Sequence, residues 1–122
     1  MPKYNKHAYM LERIIHYCEE IERTVVRFGD SFETFVNDSA YHNACAMCIM
    51  QIGELASRFN DNFRAQHTTI PWRAIRGMRN MLVHEYEKTD YEEFWKTIAD
   101  DIPMLKACCE KIIPLVSETT DI

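Results

Sequence analysis

Apolar residues spaced three and four positions apart run through the first quarter of the chain and constrain its fold more than any other feature. Because residues at this spacing share one face of an α-helix, the pattern predicts an amphipathic helix from about Tyr4 to Phe28. Gly29 follows at the position where glycine commonly ends a helix. The apolar stripe consists of Leu11, Ile14, Ile15, Cys18, Ile21, Val25 and Phe28.

The following segments keep this helical character, and we expect an all-α bundle of four to five helices. Asp30 with Glu33 is typical of a cap on a short helical turn. A second long helix is predicted over about Asp38–Asn60, and residues 61–70 are expected to form a polar connection with one helical turn. The first half of the chain therefore contributes two of the long helices.

A third helix is predicted to begin at Pro71, since proline is tolerated in the first helical turn, and to run to about His84 or Glu85. Thr89 or Asp90 then caps a fourth helix that extends through about Ala99. The third helix carries most of the basic residues of the central region, and the functional argument below depends on it.

The last helix is expected to open at Pro103 and to bend or end at Pro114. A chain of 122 residues suits one domain with one core, so we expect a single domain over residues 1–122. The tail at 117–122 is expected to be frayed or disordered.

Composition excludes several classes of protein. Three glycines and four prolines are too few for a turn-rich β fold. No window approaches the run of about eighteen apolar residues that a membrane span requires. Glu12 interrupts the N-terminal segment before the apolar core of a signal peptide forms. We therefore expect a cytoplasmic protein without a membrane partner.

Five cysteines, an odd number, do not suggest a disulfide framework. Cys45 and Cys48 form a C-x-x-C motif, and His42 precedes it by three residues, so a metal site is one interpretation. The two cysteines also follow the helical spacing of Ile49 and Ile52, and free cysteine packs as a small hydrophobic residue. Core thiols are the better interpretation, and we expect no metal site.

The charge distribution is uneven. The net charge is −5, but residues 62–84 contain no acidic residue and carry a charge of +4, which leaves −9 on the remainder. A local cluster of arginines in an acidic protein binds a phosphate at one place without general affinity for polyanions. The four arginines are Arg64, Arg73, Arg76 and Arg79.

The third helix combines apolar and charged residues in an unusual way. On a wheel of 100° per residue, Trp72, Ile75, Leu82 and Val83 share one face that is predicted to be buried. Arg79 falls in the middle of this face, at about 340° from Trp72. Since an unpaired buried guanidinium is expensive, the arginine needs a partner, or this face lines a cleft or a subunit contact.

A polar stripe lies beside the apolar face. A purely structural interpretation stays open, in which Arg79 pairs with Glu54 of the second helix and His84 favours the helix C-terminus. The functional interpretation is that cationic and titratable groups meet an apolar wall along one helix edge. The stripe and its border contain Arg73, Arg76, Asn80 and His84.

The segment Arg79–Tyr86 reads R-N-x-x-x-H-x-Y. It resembles the R-x4-H motif of the HEPN-domain ribonucleases, and with Tyr86 two residues after the histidine it resembles the R-x4-H-x-Y form of the HepT toxins. The likeness covers about residues 5–115. Further segments that resemble the family are Gln51–Glu54, Ile70–Arg73, Gly77–Asn80 and Asp101–Leu105.

This resemblance implies a HEPN-type helical homodimer that cleaves RNA without a metal or other cofactor. RNA supplies its own nucleophile, the 2′-hydroxyl, so His84 would act as base or acid and Arg79 would stabilise charge on the phosphate. Asn80 would orient the phosphate, and Arg76 and Arg73 would hold flanking phosphates. The expected products are a 2′,3′-cyclic phosphate and a 5′-hydroxyl.

A homodimer also fits the number of motif histidines that the reaction needs. One chain offers one motif histidine, whereas a base and an acid acting together are simplest with two. A two-fold axis beside the third helix would bring Arg79 and His84 of both subunits into one cleft.

By the same resemblance, Tyr86 is the residue to which a partner antitoxin attaches AMP. That partner would be a minimal nucleotidyltransferase of the MntA type, which uses ATP and magnesium, in a type VII toxin–antitoxin system. An added phosphodiester would block the RNA site by charge and bulk. Transfer RNA and messenger RNA are both reasonable substrates.

Two other functions remain as alternatives. In the first, the chain is a non-catalytic helical module that binds the nucleotidyltransferase or a nucleotide. In the second, it is a purely structural helical dimer.

Overall fold

The computed structural model describes residues 5–117, and every regular element among them is helical, which confirms the all-α class. Four helices are long. They are α1 (Lys6–Phe28), α3 (Ser39–Ser57), α5 (Trp72–His84) and α7 (Ile102–Ser117).

Shorter elements connect the long helices. Three of them are six-residue α-helices: α2 (Phe32–Asn37), α4 (Asp61–Gln66) and α6 (Tyr91–Lys96). A 3₁₀ turn covers Tyr86–Lys88, and a π-helical segment covers Thr97–Asp101. The described residues therefore contain seven α-helices, more than the predicted four to five, because the two connections that were predicted as single helical turns form the six-residue helices α2 and α4.

The long helices pack in antiparallel pairs. Helix α1 contacts both α3 and α7, and α5 packs on α3. His7 lies against Phe59 at one end of the α1–α3 pair, whereas Phe28 stacks on Tyr41 at the other end. The most deeply buried side chains of this core include Leu11, Ile14, Cys18, Ile21, Phe35, Tyr41, Ile52, Phe59, Phe94 and Leu105.

Helix ends follow the predicted chemistry in most places. Gly29 ends α1 with φ +108°, and its carbonyl accepts a hydrogen bond of 2.8 Å from the Tyr41 hydroxyl. The carboxylates of Asp38 and Asp90 cap α3 and α6 by accepting backbone N–H bonds. The cap of α2 was predicted wrongly: Ser31, not Asp30, accepts the bond from the Thr34 N–H.

The predicted break between the last two helices is wrong. Helix α6, the π-helical segment and α7 follow one another without interruption from Tyr91 to Ser117. The wider π turn lets the Ile102 N–H reach the carbonyl of Thr97, and Pro103, which has no N–H to donate, then falls in the first turn of α7. Pro114 lies inside α7 and does not end it.

Two further predictions concern the C-terminal tail and the absence of a membrane span. Residues 118–122 of the predicted frayed tail lie outside the described residues. Within residues 5–117, no helix has both the length and the mean hydropathy that crossing a bilayer requires.

We predict that Gly29→Ala destabilises the fold. No atom lies within 4 Å of the place where a Cβ would stand, so the cost arises only from the positive φ, at about 1–3 kcal/mol. Urea unfolding followed by circular dichroism measures this difference. A variant as stable as the parent chain would contradict the assigned backbone conformation.

Candidate active site

Arg79 is the residue from which the site is built. Its side chain is 33% exposed and lies across α3. One guanidinium nitrogen, Nη2, lies 3.2 Å from Glu54 Oε2, and the other, Nη1, donates to Asn80 Oδ1 at 3.2 Å. The arginine therefore has the carboxylate partner that the structural interpretation predicted, and an amide oxygen beside it on α5.

Gly53 allows Arg79 to approach α3. A Cβ at Gly53 would stand 2.5 Å from both Cβ and Cγ of Arg79, closer than any side chain tolerates. The arginine side chain thus crosses the helix at the one residue that presents no side chain, immediately before its partner Glu54. This contact explains why the resembling segment Gln51–Glu54 contains a glycine.

The pair between Arg79 and Glu54 positions the arginine more than it stabilises the fold. Both side chains are substantially exposed, at 33% and 47%, and ion pairs of this kind contribute about 0–1 kcal/mol. Arg58 lies 3.9 Å from the other oxygen of Glu54. The arrangement holds one planar guanidinium in place and leaves several of its five N–H donors for a ligand.

The predicted buried face of α5 needs correction. Ile75, Met78 and Leu82 are buried, whereas Val83 is 45% exposed and Trp72 is half-buried. The contact with α3 is centred nearer Met78 than the wheel placed it, so Arg79 stands at the edge of the buried face rather than in its middle.

Three of the candidate phosphate-binding residues line one cavity with Arg79. Arg73, Arg76 and Asn80 are exposed on α5, and Arg64 of α4 faces the same space. We call this cavity the arginine pocket, defined by Arg64, Arg73, Arg76, Arg79 and Asn80. The sequence cluster of four arginines therefore forms one surface feature.

His84 lies apart from this pocket. It is the last residue of α5, it is exposed, and it does not line the arginine pocket. Arg79 and His84 are separated by about 140° around the helix axis. Within one chain, the structure therefore brings Arg79 together with Asn80, Arg76 and Arg73, but not with His84.

Tyr86 sits in the 3₁₀ turn after α5 and is half-buried. Its hydroxyl donates a hydrogen bond to Asn43 Oδ1 on α3, and burial raises its pKa above the ordinary value. Sequence reasoning missed Asn43, because no local pattern links two residues so far apart in the chain. The sequence did indicate Arg64, because it lies in the stretch without acidic residues, but it assigned no individual role to this arginine.

Both cysteines of the C-x-x-C motif pack with the hydrophobic core. Cys45 is buried and Cys48 is half-buried, and burial raises the pKa of their thiols to about 12 and about 11. His42 directs Nδ1 to the Phe35 carbonyl at 2.9 Å. Residues 5–117 contain no group of three or more His, Cys, Asp or Glu side chains arranged to hold a metal ion.

We predict that Gly53→Ala displaces Arg79 and lowers stability, although alanine is the better helix former by about 1 kcal/mol. The clash at 2.5 Å outweighs this gain because the atoms it meets are the base of the Arg79 side chain rather than its flexible end. Thermal unfolding measures the effect.

Gly77→Ala is the matched control, since a Cβ at Gly77 of α5 meets nothing within 4 Å. That variant should unfold at the same or a higher temperature. Equal behaviour of the two variants would contradict the close crossing of Arg79 over Gly53.

Comparison with known proteins shows the family of the chain. The family described as "Ribonuclease HepT-like" matches residues 14–112. A "Putative RNase" of Caldanaerobacter subterraneus is 37% identical over 103 residues, which cover 84% of this chain and 90% of that protein. A protein of Methanocaldococcus jannaschii with the same designation is 32% identical over 97% of this chain and 99% of its own length.

A third relative is the "Probable ribonuclease HepT" of Thermococcus cleftensis. It is 35% identical over 98 residues, which cover 80% of this chain and 84% of that protein. No solved structure matches the chain. The family match spans most of the chain, and the chain therefore belongs to the HepT-like ribonuclease family.

Proposed function

We propose that this chain is a metal-independent endoribonuclease, the toxin of a toxin–antitoxin pair, whose Arg79 and His84 act on the phosphodiester of RNA. The observation that carries the proposal is the fixed guanidinium of Arg79, held by Glu54 and Asn80 at one end of a cavity with three more arginines. Four guanidinium groups at one place suit a polyanionic substrate.

The reaction needs no group beyond those of the chain and the RNA. The 2′-hydroxyl attacks the phosphorus, His84 takes or returns a proton, and the 5′-oxygen leaves with a proton. Arg79 faces the phosphate with the donors that Glu54 and Asn80 do not use, and it stabilises the charge that develops on the phosphate oxygens. The products are a 2′,3′-cyclic phosphate and a 5′-hydroxyl.

A homodimer completes the site. Since Arg79 and His84 point to different sides of α5, a second copy related by a two-fold axis is the simplest way to unite them. Apolar side chains beside the motif support such a contact: Met47 is 53% exposed and Val83 is 45% exposed. Helices α3 and α5 run antiparallel, with Asn43 facing Tyr86 and Gly53 facing Arg79. Met47 lies between the two contacts on α3, and Val83 lies between them at the end of α5.

The resemblance to the HepT toxins implies regulation by AMP attachment to Tyr86, and the position of its hydroxyl is compatible with that regulation. The hydroxyl meets Asn43, and Glu54 lies about 16 Å further along α3 at 1.5 Å per residue. An AMP group on Tyr86 would thus extend across the face that carries Met47, Val83 and the motif, where it blocks RNA and the subunit contact. Burial raises the pKa of the Tyr86 hydroxyl above its ordinary value, so the hydroxyl is protonated at neutral pH before AMP is attached.

We predict that Arg79→Ala and His84→Ala each lower RNA cleavage by about 10²-fold or more, because each removes a group that acts on the transition state. Cleavage of total RNA by the purified chain, with EDTA present, measures the loss. Both side chains are at least one-third exposed, so circular dichroism should show intact folding.

His16→Ala serves as the matched control, since His16 is a partly exposed histidine on α1 that contacts Glu20 at 4.0 Å. It should cleave at the rate of the parent chain. Absence of cleavage by the parent chain on any cellular RNA would instead favour the non-catalytic nucleotidyltransferase-binding module.

We also predict that Tyr86→Phe keeps RNA cleavage but resists silencing by the partner. The phenyl ring retains the packing of the tyrosine, whereas the oxygen that accepts AMP and its hydrogen bond to Asn43 are lost. Mass spectrometry after co-expression with a nucleotidyltransferase of the MntA type measures AMP attachment. If the variant still gains AMP and falls silent, the acceptor is another residue.

A further inference from the structure

The arginine pocket is larger than one phosphate needs. It has a volume of about 340 Å³, within the range of about 300–1,000 Å³ that is typical of small-molecule sites. It lies between the C-terminal half of α3 and the N-terminal half of α5. The pocket thus extends from Arg79 away from His84, beyond the reacting phosphate.

The charge of the pocket favours an anion. Arg64 pairs with Asp61 at 2.8 Å and Arg79 pairs with Glu54 at 3.2 Å, but neither carboxylate lines the pocket. Within the described range 5–117, Arg73 and Arg76 make no ion pair within 4.0 Å, and the pKa of Asp61, which Arg64 lowers, is lowered further by the nearby charge of Arg76. Two unpaired guanidinium groups beside two paired ones match the bidentate recognition of phosphate oxygens.

The uncharged part of the pocket suits a flat ring. Gly53, Ala56 and Ser57 of α3 line this part of the pocket. Because their side chains are small or absent, they leave space between α3 and α5. Trp72 forms another wall, and its indole is held by Phe59 at 5.4 Å between ring centroids and by a bond of 3.0 Å from Nε1 to the His67 carbonyl. A fixed aromatic wall beside cations is a common way to hold a base together with its phosphate.

We propose that the arginine pocket is a binding subsite for one nucleotide, a nucleoside monophosphate unit that Arg64, Arg73 and Arg76 hold by its phosphate while its base lies along Trp72. In the enzyme this unit is the RNA nucleotide next to the scissile bond, since Arg79 ends the pocket. That last step rests on the proposed RNA cleavage, whereas nucleotide binding does not. The same chemistry would also accept a free nucleotide.

The binding experiment uses the full-length chain and four probes: AMP, CMP, adenosine and inorganic phosphate. Titration calorimetry should show binding of at least one nucleotide and binding about tenfold weaker or more for phosphate and adenosine alone, because each of these fills only part of the pocket. Trp72 and Trp95 are the two tryptophans of the chain. In a Trp95→Phe background, nucleotide should therefore change the fluorescence of Trp72.

Arg73→Gln should weaken nucleotide binding by about tenfold, the loss expected for a charged hydrogen bond. Arg27→Gln is the matched control, since Arg27 is an exposed arginine in the last turn of α1 and should leave binding unchanged. In RNA cleavage, Arg73→Gln should raise KM and leave kcat nearly unchanged. Arg79→Ala should lower kcat, which separates the subsite from the catalytic residue.

The outcomes separate this proposal from the proposed function. No binding of any nucleotide, together with an unchanged KM for Arg73→Gln, would overturn the subsite. Nucleotide binding that Arg73→Gln weakens, with no effect on the KM for RNA, would assign the pocket to a free nucleotide and overturn the RNA part. Nucleotide binding by a chain that cleaves no RNA would refute the ribonuclease proposal and keep the subsite.

Discussion

The crossing of Arg79 over Gly53 is the contact on which the site depends. A side chain on Gly53 would push the arginine away from α3, and without Glu54 only the bond to Asn80 would hold the guanidinium. The ion pair is too exposed to contribute much to folding, so its main consequence is geometric. It holds one planar cation, with unused donors, at the mouth of a cavity whose other walls carry three further arginines. The chain keeps a net charge of −5, yet this surface is cationic.

The second constraint is the helix that carries the motif. Five residues of an α-helix turn Arg79 and His84 to directions about 140° apart, and the two side chains do not line one cavity within the chain. The proposed homodimer is the simplest way to direct both at one phosphate. The exposed Met47 and Val83 lie beside the motif, between the Arg79–Glu54 pair and the Tyr86–Asn43 pair. In the proposed homodimer, a symmetric contact through this surface would bury Met47 and Val83 of each subunit and would bring the motif residues of two chains together. Under that proposal, catalysis and assembly would use the same face of the subunit.

Local sequence patterns predicted much of the helical structure, and the errors of prediction have physical causes. Gly29, Asp38 and Asp90 end or cap helices through their own backbone or nearest neighbours, which sequence spacing encodes well. The continuous helical run from Tyr91 to Ser117 was missed because a π turn absorbs Pro103, and residue types carry little signal for such a turn. The exposure of Val83 and the bond from Tyr86 to Asn43 depend on how α5 meets α3, which only tertiary packing determines. The partner of Arg79, by contrast, was foreseen in Glu54.

The central claim is that RNA is cleaved through its own 2′-hydroxyl while Arg79, fixed above Gly53, holds the phosphate. It is tested most directly with an RNA oligonucleotide that the chain cuts at one site and a copy with a single 2′-deoxy nucleotide at that site. With EDTA present, the first should give a 2′,3′-cyclic phosphate end, and the second should stay intact at the modified bond. Cleavage of both at similar rates would contradict the account, since water or another nucleophile would then perform the attack.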